Sequence, residues 1–307
     1  MAGLKGRDVL TLAELSTKDI NQILKQSLIL SKQKRPPQRL RGKTVAMIFQ
    51  KPSTRTRASF ETAVSSLGGH PMNLSWNEMQ LGRGETISDT AKVLDRYVDA
   101  IMARVFAHRD LEILAEEAEA PVINGLSDNY HPCQTLADLH TLLQYKRKLK
   151  GLNLAYVGDG NNVCNSLLIG CAKTGVNIRV ARPPGFGPDP QAVKFAEEAS
   201  SQTGAQVSIT EDPEQAVANA DAVYTDTFIS MGMEKDKATR LATFIPRYQV
   251  NNTLFSKAKP DAVFLHCLPA HRGEEVTADV IDSPKSAVWD QAENRLHTSK
   301  AVLSLIL

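Results

Sequence analysis

Short apolar runs recur along the chain between longer amphipathic stretches, and the alternation is that of strand and helix. Ile20, Ile23, Leu24 and Leu28 share one helical face, Ser16 or Thr17 can cap that helix, and Asp19 sits in its first turn. "QKRPPQRLRGK" breaks it. The run "TVAMIF" (Thr44–Phe49) reads as a strand, followed by a helix from about Arg55 to Leu67 that Gly68 and Gly69 end. "NLSW" is a strand, "NEMQLGRGE" a polar loop, "TISDTAKVLDRY" a helix, Ala100–Val105 a buried strand, "LEILAEEAEA" a helix and "PVINGL" a strand. A helix starts near Cys133, and the pattern then restarts. Strands "NLAYVG", "NIRVAR", "QVSIT", "DAVYTD" and Asp261–Pro269 alternate with helices "NSLLIGCAKTG", "AVKFAEEASSQTG" and "PEQAVANA". The chain closes on an amphipathic helix, "QAENRLHTSKAVLSLIL".

This order predicts an α/β fold of two similar domains, each a mostly parallel sheet with helices on both faces. No repeat of solenoid period is present. Open α/β sheets place ligands at the carboxyl ends of their strands. Polar clusters fall at such ends at 50–57, 158–162, 226–232 and 266–276, so the active site is expected in an interdomain cleft.

Composition narrows the function little. The chain has 307 residues, 42% of them hydrophobic and 23% charged, with a formal net charge of +2, which gives no support to a dedicated nucleic-acid binder. The N-terminus lacks a long apolar signal core and an Arg/Ser-rich transit pattern, and no stretch has bilayer length, so a cytoplasmic protein without a membrane partner is expected. Cys133, Cys164, Cys171 and Cys267 form no C-x-x-C pair, which argues against both a disulfide framework and a structural zinc site.

The chemistry begins at "KPSTRTR" (51–57), placed between a strand and a helix. A helix N-terminus exposes unpaired N–H groups and the positive end of its dipole. Ser53, Thr54 and Thr56 add hydroxyls, and Arg55 and Arg57 add cations that oppose the dipole unless an anion is present. The stretch therefore suits a phosphate dianion, although it lacks the spacing of a nucleotide P-loop. "VGDGNN" (157–162) has G-x-G after a strand, but Val163 stands in place of the third glycine and no acidic residue follows at ribose distance. Asp226 at a strand end can pair with an ammonium or cap a helix. Cys267 in "HCLPAHRGEEV" can be nucleophile, polar contact or core filler, and a Cys–His dyad needs a histidine close in space. His131 and Gln134 lie at a helix start, Arg104 ends a strand and Arg295 sits in the last helix.

In order, "KPSTRTR", "INGLSDNYHPCQTLAD", "VGDGNN", "SMG", "HCLPAHRGEEV" and "WDQAENRLH" span essentially the whole chain, and together they resemble the aspartate/ornithine carbamoyltransferase family. "SMG" with "HCLPAHRGEEV" is similar to the ornithine branch. The resemblance implies transfer of a carbamoyl group from carbamoyl phosphate to the δ-amine of L-ornithine, giving L-citrulline and phosphate. It also implies no metal or organic cofactor, a trimer or a multiple of trimers, and a place in arginine metabolism. The implied domains are 1–133 for carbamoyl phosphate, joined by the C-terminal helix 290–307; a linking helix 134–147; and 148–289 for ornithine. Carried over by motif, Ser53, Thr54, Arg55 and Thr56 hold the phosphate, and Arg57 supports them. Arg104 and His131 meet the carbamoyl oxygen, Gln134 the carbamoyl amide, and Arg295 completes the pocket. Cys267 and the Leu268 carbonyl flank the reacting groups, and Asn162, Asp226, Ser230 and Met231 grip the amino-acid head. Gln80 resembles a residue that reaches a neighbouring subunit's site, while Lys51 matches no assigned role. Where the family often reads D-x-W before SMG this chain has Phe228, and where it often reads "NNVAHSL" the chain has Cys164 and Asn165. Putrescine or an acylated ornithine is the alternative acceptor, against which "SMG" argues. An NAD-dependent oxidoreductase built on "GDG" and a non-catalytic anion-binding protein are the rivals from other classes.

Overall fold

Parallel strands buried on both faces need side chains that are apolar throughout, and β1 (Thr44–Phe49) meets that requirement with Val45 through Ile48 fully buried. The computed structural model describes residues 3–229 and 234–307. The chain divides into two units, Met1–His140 with Glu293–Leu307, and Thr141–Ala292.

In the first unit, α1 (Thr17–Ser31) starts on a capping box in which the Ser16 hydroxyl accepts from the Asp19 amide and the Asp19 carboxylate accepts from the Ser16 amide. Then follow α2 (Thr54–Ser66), β2 (His70–Ser75), α3 (Ile87–Leu94), β3 (Ala100–Arg104), α4 (His108–Glu117), β4 (Val122–Leu126) and α5 (Pro132–Lys146). The sheet order is β2-β1-β3-β4 and every pairing is parallel. The N-terminal segment, which carries no strand signal, covers the outer edge of β4: Val9 donates to Val122 and accepts from Asn124. Such cover removes an open sheet edge.

The second unit runs β5 (Asn153–Val157), α6 (Asn162–Thr174), β6 (Asn177–Ala181), α7 (Pro190–Thr203), β7 (Val207–Thr210), α8 (Pro213–Val217), β8 (Ala222–Thr225), α9 (Lys237–Phe244), α10 (Asn252–Phe255), β9 (Val263–His266) and α11 (Ala278–Ile281). Its sheet order is β7-β6-β5-β8-β9, again all parallel. The final helix, α12 (Val288–Ile306), crosses the division, as does α5. Both units are thus parallel sheets flanked by helices, as the alternation of elements predicts.

Local differences from the sequence reading have local causes. β2 begins at His70, because the extended "HPM" pairs with Thr44–Ala46. The loop after it holds two 3-10 turns, Trp76–Glu78 and Gln80–Arg83. α9, α10 and α11 are too short to show a full apolar period, and only their packing reveals them. β9 stops at His266, two residues before Leu268, which adopts φ +59°. Among the described residues no helix is long and apolar enough to cross a membrane.

Candidate active site

A cationic, hydroxyl-rich cluster lies in the first unit. Ser53 is the N-cap of α2 in extended geometry, and its hydroxyl accepts from the Thr56 amide at 3.2 Å. The first turn of α2 has no acidic residue, so the exposed N–H groups and Arg55 leave it positive. Thr56 is completely buried, and its hydroxyl accepts from Arg295 Nη2 of α12 at 2.6 Å. Arg104 at the end of β3, His131 before α5 and Gln134 within it are buried as well. The Gln134 side-chain amide donates to Asp138 at 2.8 Å, and among the described residues its buried Oε1 has no hydrogen-bond partner. That oxygen is a free buried acceptor.

Electrostatics set the protonation states. Burial first, then Arg295, Arg104 and Arg55, hold His131 well below the usual imidazole range. A neutral ring still donates one N–H bond. Burial pushes the Cys133 thiol up to about 12, so this cysteine is a packed thiol, bonded to the Asn124 carbonyl at 3.3 Å. Lys51 lies with Nζ 4.2 Å from the Phe106 ring centroid, and burial followed by the Arg104 charge lowers its pKa. Arg57 donates to Asn73 at 3.1 Å, which in turn donates to Glu61.

A second polar cluster lies in the second unit, around Asp226. Its carboxylate accepts from Asn161 Nδ2 at 2.7 Å, from Cys267 Sγ at 2.9 Å and from the Thr227 amide at 2.8 Å. Asn161 is also the N-cap of α6, and its Oδ1 accepts from the Val163 and Cys164 amides. The adjacent Asn162 opens α6, partly exposed. The Asn-Asn pair is a candidate amide site in the sequence, but only Asn162 is carried into the site there; a bond to Asp226 comes from its neighbour Asn161, whose cap position before "NVCNSLL" is the available signal. Behind Cys267, His266 Nδ1 accepts from the Leu268 amide at 2.9 Å, so Nε2 carries the proton and donates to Glu275 at 3.2 Å. Burial alone would raise the Glu275 pKa, but the bonds from His266 and the His271 amide outweigh it. This buried pair, absent from the sequence reading, holds Leu268 in its left-handed conformation.

Two groups of ligand-type atoms each lie within 4.8 Å of one another: Asp226, His266 and Cys267, and His271, Glu274 and Glu275. The first is already tied together through the Cys267–Asp226 bond. The "GDG" turn is built for backbone packing. A Cβ on Gly160 would lie 2.1 Å from the Pro188 nitrogen, so glycine is required here for the turn to pack against the 187–188 backbone. Phe228 is fully buried and stacked on Phe244 at 4.5 Å. Cys164 is buried, and Asn165 Oδ1 accepts from the Asp189 amide at 2.9 Å. All three departures from the family pattern therefore serve packing or capping. Gln80 lies in an exposed 3-10 turn, and none of the anion-site bonds described above involves it. Ser230 and Met231 fall outside the described residues.

Comparison with known proteins matches two family domains along the chain. The carbamoyl-P binding domain of aspartate/ornithine carbamoyltransferase matches residues 7–144, and the Asp/Orn binding domain matches 150–306. An ornithine carbamoyltransferase of Bacillus subtilis is 56% identical over 304 residues, covering 99% of this chain and 95% of the relative. One from Thermococcus kodakarensis is 54% identical, covering 100% and 98%. The structure of the Pyrococcus furiosus ornithine carbamoyltransferase superposes with a TM-score of 0.96 at 54% identity, covering 100% of this chain and 98% of that one. With both domains matched along nearly its whole length, the chain belongs to the aspartate/ornithine carbamoyltransferase family.

Proposed function

We propose that the protein moves the carbamoyl group of carbamoyl phosphate to the δ-amino group of L-ornithine, releasing L-citrulline and phosphate. The observation that carries this reading is the full-length identity of 54–56% to proteins named ornithine carbamoyltransferase. Unit one holds carbamoyl phosphate and unit two the amino acid, along the ranges 1–133 with 290–307, and 148–289. The phosphate rests on the N-terminus of α2 against Ser53, Thr54, Arg55 and Thr56. Arg104, His131 and Thr56 face the carbamoyl oxygen, Gln134 Oε1 accepts from the carbamoyl amide, and Arg295 buttresses Thr56. Asn162, Asp226, Ser230 and Met231 hold the ornithine head group, and the Leu268 carbonyl accepts from its δ-nitrogen.

The reaction follows from these placements. A free ornithine δ-amine has a pKa near that of lysine, about 10.4, and must lose a proton before it attacks. Nearby cations and desolvation lower that value. Attack on the carbamoyl carbon places negative charge on its oxygen, where Thr56, Arg104 and neutral His131 donate hydrogen bonds. Removing one such donor costs roughly a hundred- to a thousandfold in rate. Phosphate leaves and accepts the second amine proton, so Cys267 forms no bond to carbon. The enzyme works without a cofactor, in the cytoplasm and in the anabolic direction, as a trimer or a multiple of trimers in which Gln80 reaches a neighbouring subunit's site. The name of the Pyrococcus furiosus relative carries the word anabolic, which supports that direction.

A citrulline assay tests the reading. Purified protein with both substrates should form citrulline, and putrescine should be a poor acceptor. Arg55→Ala should weaken carbamoyl phosphate about ten- to a hundredfold, the worth of a charge-assisted bond. Mass spectrometry of the quenched reaction should find no carbamoyl group on Cys267. Absence of citrulline would sink the proposal.

A further inference from the structure

Two turns meet beneath Asp226, and one arginine outside every motif joins them. The β5–α6 turn supplies Asp159 and Asn161, and the segment after β8 supplies Asp226 and Phe228. Arg240, on α9, donates from Nη2 to the Asp159 carboxylate and from Nε to the Phe228 carbonyl at 2.6 Å. Its guanidinium lies near two rings, 5.0 Å from the Phe186 centroid and 5.5 Å from that of Phe244. Phe244 stacks in turn on Phe228, so Arg240 engages that residue through both its carbonyl and its ring's neighbour. The side chains of Arg240 and Asp159 are 12% and 13% exposed, so each charge depends on the other for compensation. From β5 the Tyr156 hydroxyl donates to the Asp159 carbonyl at 2.9 Å and reaches Asn161 Oδ1 at 3.3 Å. Asn161 then donates to Asp226.

We propose that Arg240 is a positioning residue for the amino-acid half of the site: through Asp159 and the Phe228 carbonyl it clamps the 226–228 segment against the 158–161 turn, and so sets where Asp226 stands. It acts through Asp226 and touches no reacting atom. A planar guanidinium can hold a carboxylate and a carbonyl at once, a task a lysine performs only in part. The residue is invisible to motif reading because it lies in "EKDKATRLATF", a polar stretch that reads as surface. Among the described residues, its polar contacts are to Asp159 and Phe228 and include neither Asp226 nor Asn161.

The inference rests on the ornithine reading above, and the test separates the two. Steady-state kinetics would be run on the full-length wild-type protein, Arg240→Gln, Arg240→Lys, Asp159→Asn and the Arg240→Gln/Asp159→Asn double variant. Displacing a binding group by a fraction of its contact distance is costly, so Arg240→Gln should raise KM for ornithine about tenfold or more. KM for carbamoyl phosphate, bound in the other unit, should stay within about twofold. Arg240→Lys, which keeps the charge beside Asp159, should recover part of the loss. The double variant should be no worse than Arg240→Gln, because both substitutions break one strut. If Arg240→Gln fails to fold, the nearly isosteric Asp159→Asn carries the same expectation. A folded Arg240→Gln or Asp159→Asn protein with unchanged KM for ornithine, or one in which both KM values rise alike, would overturn the proposal. Failure of the substrate reading would instead appear in the wild-type protein, as turnover of another amine but not ornithine.

Discussion

Among the residues of the anion site, His131 shows how surroundings choose a chemical role. The ring is 3% exposed, and the charges that act on its titration are those of three arginines. Burial and the guanidiniums of Arg295, Arg104 and Arg55 each disfavour the imidazolium, so the ring keeps a single N–H and no charge. Its folded pKa lies below the usual 6.5; the neutral form therefore persists as pH falls through that value. Nitrogen-15 resonances of His131 should report a neutral ring at pH 6 and show no midpoint near 6.5. A midpoint at the ordinary value would remove it as a neutral donor. His131 also marks what sequence can convey. "YHPCQ" offered a histidine at a helix start, but nothing in the letters placed three arginines around it from α2, β3 and α12.

At the scale of elements, α1 and α5 are joined by a buried polar contact that no periodicity announces. The Ser27 hydroxyl donates to the Leu24 carbonyl at 2.9 Å and lies 2.5 Å from His140 Nδ1, from which it therefore accepts. Among the described residues the buried His140 Nε2 has no hydrogen-bond partner, and the ring stacks on His297 of α12 at 6.2 Å. Burial, then His297, lowers the His140 pKa to about 4. Against an unfolded value near 6.5, that difference is worth about 3 kcal/mol. The sign is that of a depressed group: the stability is complete above pH 6.5 and is lost as pH falls from there through 4. Urea unfolding at pH 7 and pH 4.5 should show this decline, and His140→Asn, which keeps a donor to Ser27, should flatten it. An equal decline in both proteins would refute the assignment. The strands and longer helices were legible because burial on one or both faces leaves a pattern in hydrophobicity. The contacts Ser27–His140, Asn161–Asp226 and His266–Glu275 were not, since each joins polar residues whose letters fit a solvated surface equally well.

For the whole molecule, the main consequence of the topology is that the first unit is completed by the last residues of the chain. Its share of α12 brings Val302, Leu303 and Ile306 to 1% exposure or less, and the Ile306 carbonyl accepts from the Gly6 amide. Burying three such side chains contributes about 5–9 kcal/mol. That is comparable with the entire net stability of an ordinary domain, roughly 5–15 kcal/mol. The same segment delivers Arg295 to Thr56, so structure and site depend on one helix. The two roles can be separated. A chain ending at Ala292 should lose the cooperative unfolding of its first unit in calorimetry and refold poorly. Arg295→Met, which keeps the buried stem, should melt near the wild type yet bind carbamoyl phosphate more weakly. A truncated protein with the wild-type transition would show that the first unit folds without its C-terminal segment, and that α12 serves the site alone.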